Sequence, residues 1–135
     1  DKEDLEEASI EENISSPKLI EAKLLKANLN DANLSESDLS GTNLVGVNLS
    51  NVNLSGANLS GTNLSKVDLT GSNLTKADLT GAKLVDANLT GADLTEADLS
   101  RANLSGANLS GTNLTKANLT GVNLRNSYLE DNLLS

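Results

Sequence analysis

The sequence predicts an all-β solenoid, a chain wound into a coil with four flat sides, and three observations predict it. Leu occupies every fifth position from Leu19 to Leu134 without exception, 24 in all, and Ile14 extends the phase by one step. Two residues before each Leu, from Ala22 to Ser127, stands a small side chain: Ala, Ser, Thr or Val. Two residues after Leu, charged residues 20 apart have opposite signs: Lys66 with Asp86, Lys76 with Glu96, Glu96 with Lys116. At a separation of 15 that position pairs Asp86 with Arg101 attractively but Arg101 with Lys116 repulsively. Four sides per coil are therefore favoured over three.

A period of five fits neither a helix nor a flat strand, and a unit rich in Gly, Asn, Ser and Thr is a poor helix former. In extended backbone the small residue and the Leu, two apart, point the same way, and the residue between them points oppositely. The unit reads as in Ala57-Asn58-Leu59-Ser60-Gly61. Its last two positions favour Gly and polar residues, which suit a corner. Ser and Thr after each Leu are expected to help close that corner by bonding backbone. One short edge and one corner, repeated, describe the coil.

The predicted core is the Leu column: Leu29, Leu34, Leu39, Leu44, Leu49, Leu54, Leu59, Leu64, Leu69, Leu74, Leu79, Leu84, Leu89, Leu94, Leu99, Leu104, Leu109, Leu114, Leu119 and Leu124. Each contributes ~1.5–3 kcal/mol when fully buried. Coils ~4.8 Å apart make six coils a rod ~29 Å long. Such a rod needs its ends covered.

Composition narrows the chemistry. The 135 residues contain no Cys, His, Met, Trp or Phe and a single Tyr, with 10 Lys and Arg against 19 Asp and Glu, a net charge of −9. That excludes structural zinc, haem ligation, thiol nucleophiles, disulfides and imidazole bases. Direct nucleic-acid binding is not expected without a basic surface or stacking aromatics. Apolar runs of two or three residues cannot cross a bilayer as a helix. No secretory signal opens the chain, but it begins at Asp1 rather than Met, so that absence carries little weight.

The uninterrupted A-[ND]-L-x-x units resemble the pentapeptide-repeat family over about 19–134. The resemblance implies a right-handed, four-sided parallel β-helix, here of about six coils over 17–135. It also implies that the Leu and the residue two before it line the interior, in agreement with the alternation above. Many relatives mix Leu and Phe at the central position, whereas this chain uses Leu alone, which implies a uniform, narrow core. Some relatives pair through the C-terminal coil, so a monomer or a C-terminal dimer is expected.

Residues 1–16 are expected to form an acidic, helical N-terminal cap. Their acids stand near the start, where a helix dipole favours them, and Ile10 and Ile14, helped by Leu5, could cover the first coil. At the other end Tyr128 and Leu133 take the outward position usually held by Asn or Asp, and Asn132 breaks the small-residue rule. With Asp86 and Asp93 they are the candidate partner-facing residues. A cap, a dimer contact or a continuation of the chain would account for that end.

No catalytic residue and no cofactor are predicted, because the carboxylates fall on flat outer faces rather than in a concave site. In the column Asp38, Asn58, Asp78, Asp98, Asn118, a hard cation could bridge Asp78 and Asp98 with help from Glu96. These three are weak metal candidates, and a solvated polar ladder is the favoured reading. The Ser and Thr rows invite an ice-binding hypothesis, which their mixing disfavours. Lys83, Val45, Val85, Arg101 and Tyr128 depart from the consensus and are where a binding patch should be sought first. Val45 and Val85 stand two coils apart on one column with Ser65 between.

The expected role is a non-enzymatic structural or protein-interaction rod whose protein partner is unknown. The alternative that the resemblance implies is an acidic mimic of duplex DNA that binds DNA gyrase. Residues 1–16 hold seven acids and one Lys, leaving only −3 of the −9 for the rest. Duplex DNA carries one charge per ~1.7 Å, so a ~29 Å rod would need about −17 to match it. A mimic would rely on one acidic face around Asp78, Asp86, Asp93, Glu96 and Asp98, interrupted by Lys83 and Arg101. Asn-x-Ser/Thr triplets occur 12 times, which argues against the eukaryotic secretory pathway. A bacterial cytoplasm or periplasm, or the thylakoid lumen, fits better.

Overall fold

The computed structural model of the chain describes residue 29 and residues 31–130. Each five-residue unit supplies one short extended edge, and parallel bridges join the residue before each Leu to its counterpart 20 positions later, as in Asn33 with Asn53, Asp38 with Asn58, Asn43 with Asn63 and Asn48 with Asp68. A 20-residue advance divided among five-residue edges closes each coil with four sides, as the charge pairing predicts. The faces are named here by their first outward residue: the Asn33, Asp38, Asn43 and Asn48 faces.

Every corner is a tight turn. The Leu carbonyl accepts from the N–H three residues later, as in Ala57 to Leu54 at 3.0 Å and Thr62 to Leu59 at 3.2 Å. Of the two central turn residues only the second has positive φ, the pattern of a type II turn. All ten glycines of the chain occupy such positions, beginning with Gly41 and Gly46. Ten other residues adopt the same conformation near +60°, among them Lys66, Lys76, Asp86, Glu96, Arg101 and Lys116. Such a residue pays roughly 1–2 kcal/mol for the left-handed backbone, so the coil imposes this conformation against local preference.

The backbone of one unit shows why the repeat persists. The Ala57 N–H closes the corner; that of Asn58 donates to Ser37 O on the preceding coil at 2.9 Å. The N–H groups of Leu59 and Gly61 donate to Asp78 O and Thr80 O on the following coil at 2.7 and 3.0 Å. The remaining N–H, that of Ser60, meets Asn58 Oδ1 at 3.0 Å. All five donors are satisfied, the fifth only by a side chain.

The interior is a stack of Leu alternating with small side chains. Every Leu from Leu29 to Leu114 is buried, and Ala57, Ala82 and Thr62 are fully enclosed. Hydroxyls that replace Ala inside bond a Leu carbonyl: Ser37 to Leu34 O at 2.6 Å and Thr62 to Leu59 O at 2.6 Å. A buried polar group is thereby kept off an apolar wall without loss of its bond.

Leu119 and Leu124 pack against the same cluster but are only partly buried, and Leu129 is 44% exposed. They lie in the last described coil, where Leu is covered on one side by the coil before. The expected cap at residues 1–16, with Leu5, Ile10 and Ile14, and the residues Asn132 and Leu133 lie outside the described residues.

Candidate functional site

The outward surface is built from the residue before Leu, the residue after it, and the corner residue. At every Asn or Asp that precedes a Leu from Asn33 to Asn123 the side-chain Oδ1 accepts the N–H two residues on, as in Ser35 to Asn33 at 3.0 Å and Thr95 to Asp93 at 3.0 Å. The hydroxyl after Leu often donates to that same oxygen: Ser40 to Asp38 at 2.7 Å, Thr75 to Asn73 at 2.8 Å. This corrects the expectation that these hydroxyls bond backbone. They brace the Asx side chain, which bonds the backbone in their place, an Asx-turn added to each edge. With the hydroxyl donor turned toward the protein, the Ser and Thr rows are poorly suited to ordering water by donation.

Lys83 is the exception. It stands in the column Asn43, Asn63, Lys83, Asn103, Asn123 and has no acceptor, so the Val85 N–H lacks the side-chain bond its counterparts have. Val45, on the same corner two coils earlier, keeps its bond to Asn43 Oδ1 at 3.3 Å. Val45 is 43% exposed and Val85 half-buried, so the apolar strip they frame is shallow.

The proposed single acidic face is also corrected. Asp78 and Asp98 are bridge partners on the Asp38 face, but Asp93 belongs to the Asn33 face. Glu96 stands at the corner between those two faces, and Asp86 at the corner diagonally opposite, between the Asn43 and Asn48 faces. The four-sided register scatters these five carboxylates over four lines. Among the described residues no group of three or more acids is gathered as a metal ligand set, so Asp78, Asp98 and Glu96 are not brought together as one.

Within the Asp38 face two carboxyls are held below the usual carboxylate range. The hydroxyl and N–H of Ser40 do this for Asp38. For Asp98 the N–H and hydroxyl of Ser100 act first, helped by the Thr80 hydroxyl from the preceding coil and the positive charge of Arg101. Donors aimed at a carboxylate favour its ionised form. Bonding of this kind explains the shifts as well as any functional tuning would.

Of the other candidate partner-facing residues, the Asp86 carboxylate lies over Gly106, and Asp93 is bonded by the Thr95 hydroxyl at 2.6 Å. Tyr128 is 51% exposed and its hydroxyl donates to the Glu130 carboxylate. These residues do not converge on one patch. Two features escaped the sequence reasoning: the Asx bond, signalled only by the bias toward Asn and Asp, and the Val85 N–H donor without its Asx acceptor, signalled by the break at Lys83.

The fold and surface together define a class: a β-solenoid that presents flat ladders of polar side chains over a Leu interior. The sequence profile described as Pentapeptide repeats matches eight copies across residues 18–51, 53–91 and 92–131. The chain belongs to the pentapeptide-repeat family, whose members form right-handed quadrilateral β-helices. Among solved structures it is similar to a pentapeptide-repeat protein from the Arabidopsis thaliana thylakoid lumen, with 30% identity and a TM-score of 0.63 over 65% of this chain and 61% of that one. It is also similar to Rfr23, a pentapeptide-repeat protein from the cyanobacterium Cyanothece, with 34% identity and a TM-score of 0.54 over 77% of this chain and 65% of that one. The chain thus spans somewhat less than two thirds of the length of either. No curated protein matches it.

Proposed function

We propose that this protein is a non-enzymatic interaction rod: residues 17–135 wind about six right-handed coils, and a flat face binds a protein partner. The observation that carries this reading is the differentiation of the faces. The Asp38 face displays Asp38, Asp78 and Asp98, while the adjacent Asn43 face displays four Asn and Lys83. Faces built on one backbone but unlike in charge give a partner something to distinguish. A bacterial or thylakoid-lumen setting accords with the sources of the similar structures.

Replacing Asp38, Asp78 and Asp98 together by Asn tests this directly, because Asn accepts the same Asx bond at neighbouring positions and the fold should persist. Proteins retained on the immobilised wild-type chain from a cyanobacterial or thylakoid extract should be lost on the triple variant. Equal retention by both would remove the Asp38 face from consideration.

The three-Asp line is also the observation that favours the second reading, a gyrase-binding DNA mimic. Its charge works against it. Residues 31–130 carry ten acids and six bases, a net charge of −4 over five 20-residue advances. The rod reading predicts no inhibition of DNA supercoiling by the full chain at low salt. Inhibition abolished by the triple Asp→Asn variant would favour the mimic instead.

A further inference from the structure

Among the described residues the Asn43 face is the surface whose charge runs against the acidic balance of the rest. Of the six bases in residues 31–130, four line this face and the corners beside it: Lys83 at its centre, Arg101 on one corner, Lys66 and Arg125 on the other. Of the ten acids only Asp86 is there. Arg101 is partly committed, since its charge also acts on Asp98. At the centre of the face, beside Lys83, lies the Val85 N–H without the Asx oxygen that its counterparts receive. A carboxylate brought in from outside would find there an unfilled N–H and an ammonium, the pair of donors that best suits it.

The chain itself supplies the complement. Residues 1–12 hold seven acids, Asp1, Glu3, Asp4, Glu6, Glu7, Glu11 and Glu12, against one Lys. Lys83 is 54 residues beyond Leu29, fewer than three 20-residue coils, hence ~13 Å along the rod at the usual strand spacing. With residues 17–28 wound in the coil, the 16 residues before them still reach about three times that distance when extended. We propose that the Asn43 face is the docking surface for the chain's own acidic segment, residues 1–12, with one carboxylate taking the acceptor place beside Val85 that Asn or Asp fills elsewhere. The net negative charge of the rod keeps other acidic segments away, while the tether holds this one close at high effective concentration.

Zero-length carbodiimide cross-linking of the full chain, read by mass spectrometry, tests this, and Lys76 and Lys116 on a distant corner serve as internal controls. Links from residues 1–12 should fall on Lys83 and Lys66 several-fold more often than on Lys76 and Lys116, and should fade as salt screens the contact. In Lys83→Asn, which supplies the missing acceptor and removes the ammonium, the links to Lys66 should drop several-fold. Circular dichroism of that variant should stay unchanged, since Asn is the usual residue there. Links spread evenly over all four lysines, or Lys66 links undiminished in the variant, would overturn the proposal. So would links that form only between differently isotope-labelled copies, which would make the occupant a second molecule.

Discussion

Two stretches with the same repeat fare differently. Ala107-Asn108-Leu109-Ser110 and Ala117-Asn118-Leu119-Thr120 are nearly one sequence, yet Leu109 is fully buried and Leu119 only half so. The Leu109 N–H donates to Tyr128 O on the next coil at 2.7 Å. What separates them is the coil beyond. Burial in this fold is a property of stacking, and a Leu inside a unit becomes core only when sandwiched.

That contrast is sharpest under truncation of Leu. Leu79→Ala in the middle of the rod should cost ~2–5 kcal/mol, while Leu124→Ala near the described end should cost less than ~2 kcal/mol, because less apolar area leaves a packed site. Equilibrium denaturation of both would settle it, and equal losses would mean the last described coil is covered in solution.

The corners offer a second contrast. Nothing lies within 4 Å of a Cβ placed on Gly61, whereas one on Gly106 would meet the Asp86 carboxylate, both glycines having positive φ. Gly61→Ala should therefore cost ~1–2 kcal/mol from backbone strain alone. Gly106→Ala should cost more, and the excess should vanish in a double-mutant cycle with Asp86→Ala.

The Asx bond is tested where it is missing. In a chain lacking residues 1–12, Lys83→Asn should stabilise the rod by about 1 kcal/mol through a new bond to the Val85 N–H, read as a shift in denaturation midpoint. Asn63→Ala one coil earlier should lose a similar amount, since Ser65 N–H then loses its partner at 3.2 Å. If Lys83→Asn is neutral, the Val85 N–H is already satisfied in solution.

The smallest effect concerns acid. Asp38 and Asp98 have lowered folded pKa values, so they bind protons more readily unfolded, near ~3.9, than folded. Their contribution is fully present above that value and is lost as pH falls through the lower folded ones. Asp98→Asn should flatten the acid limb of a stability-versus-pH curve measured by denaturation.

Much was legible in the residues. The alternation in each unit sends the small residue and the Leu inward, as Ala57 and Leu59 show, and opposite charges 20 apart indicated four sides. The column from Asp38 to Asn118 was likewise readable from that number. The split of Asp86 and Asp93 from Asp78 followed from the same register, but grouping acids by nearness in sequence concealed it. Nothing local announced that Lys116 or Glu96 would take a left-handed backbone, because their own preference opposes it. The role of Asn and Asp was hidden too, since their bond matters only once the other four N–H groups of the unit are spoken for.

By itself, then, the sequence determined which side chains point inward and where the chain turns, because both depend on neighbours two to five residues away. Only the tertiary structure decided which Leu is truly enclosed, which acids share a face and which N–H is left at Val85. Those depend on the coils before and after, 20 residues distant, whose contacts no single repeat contains.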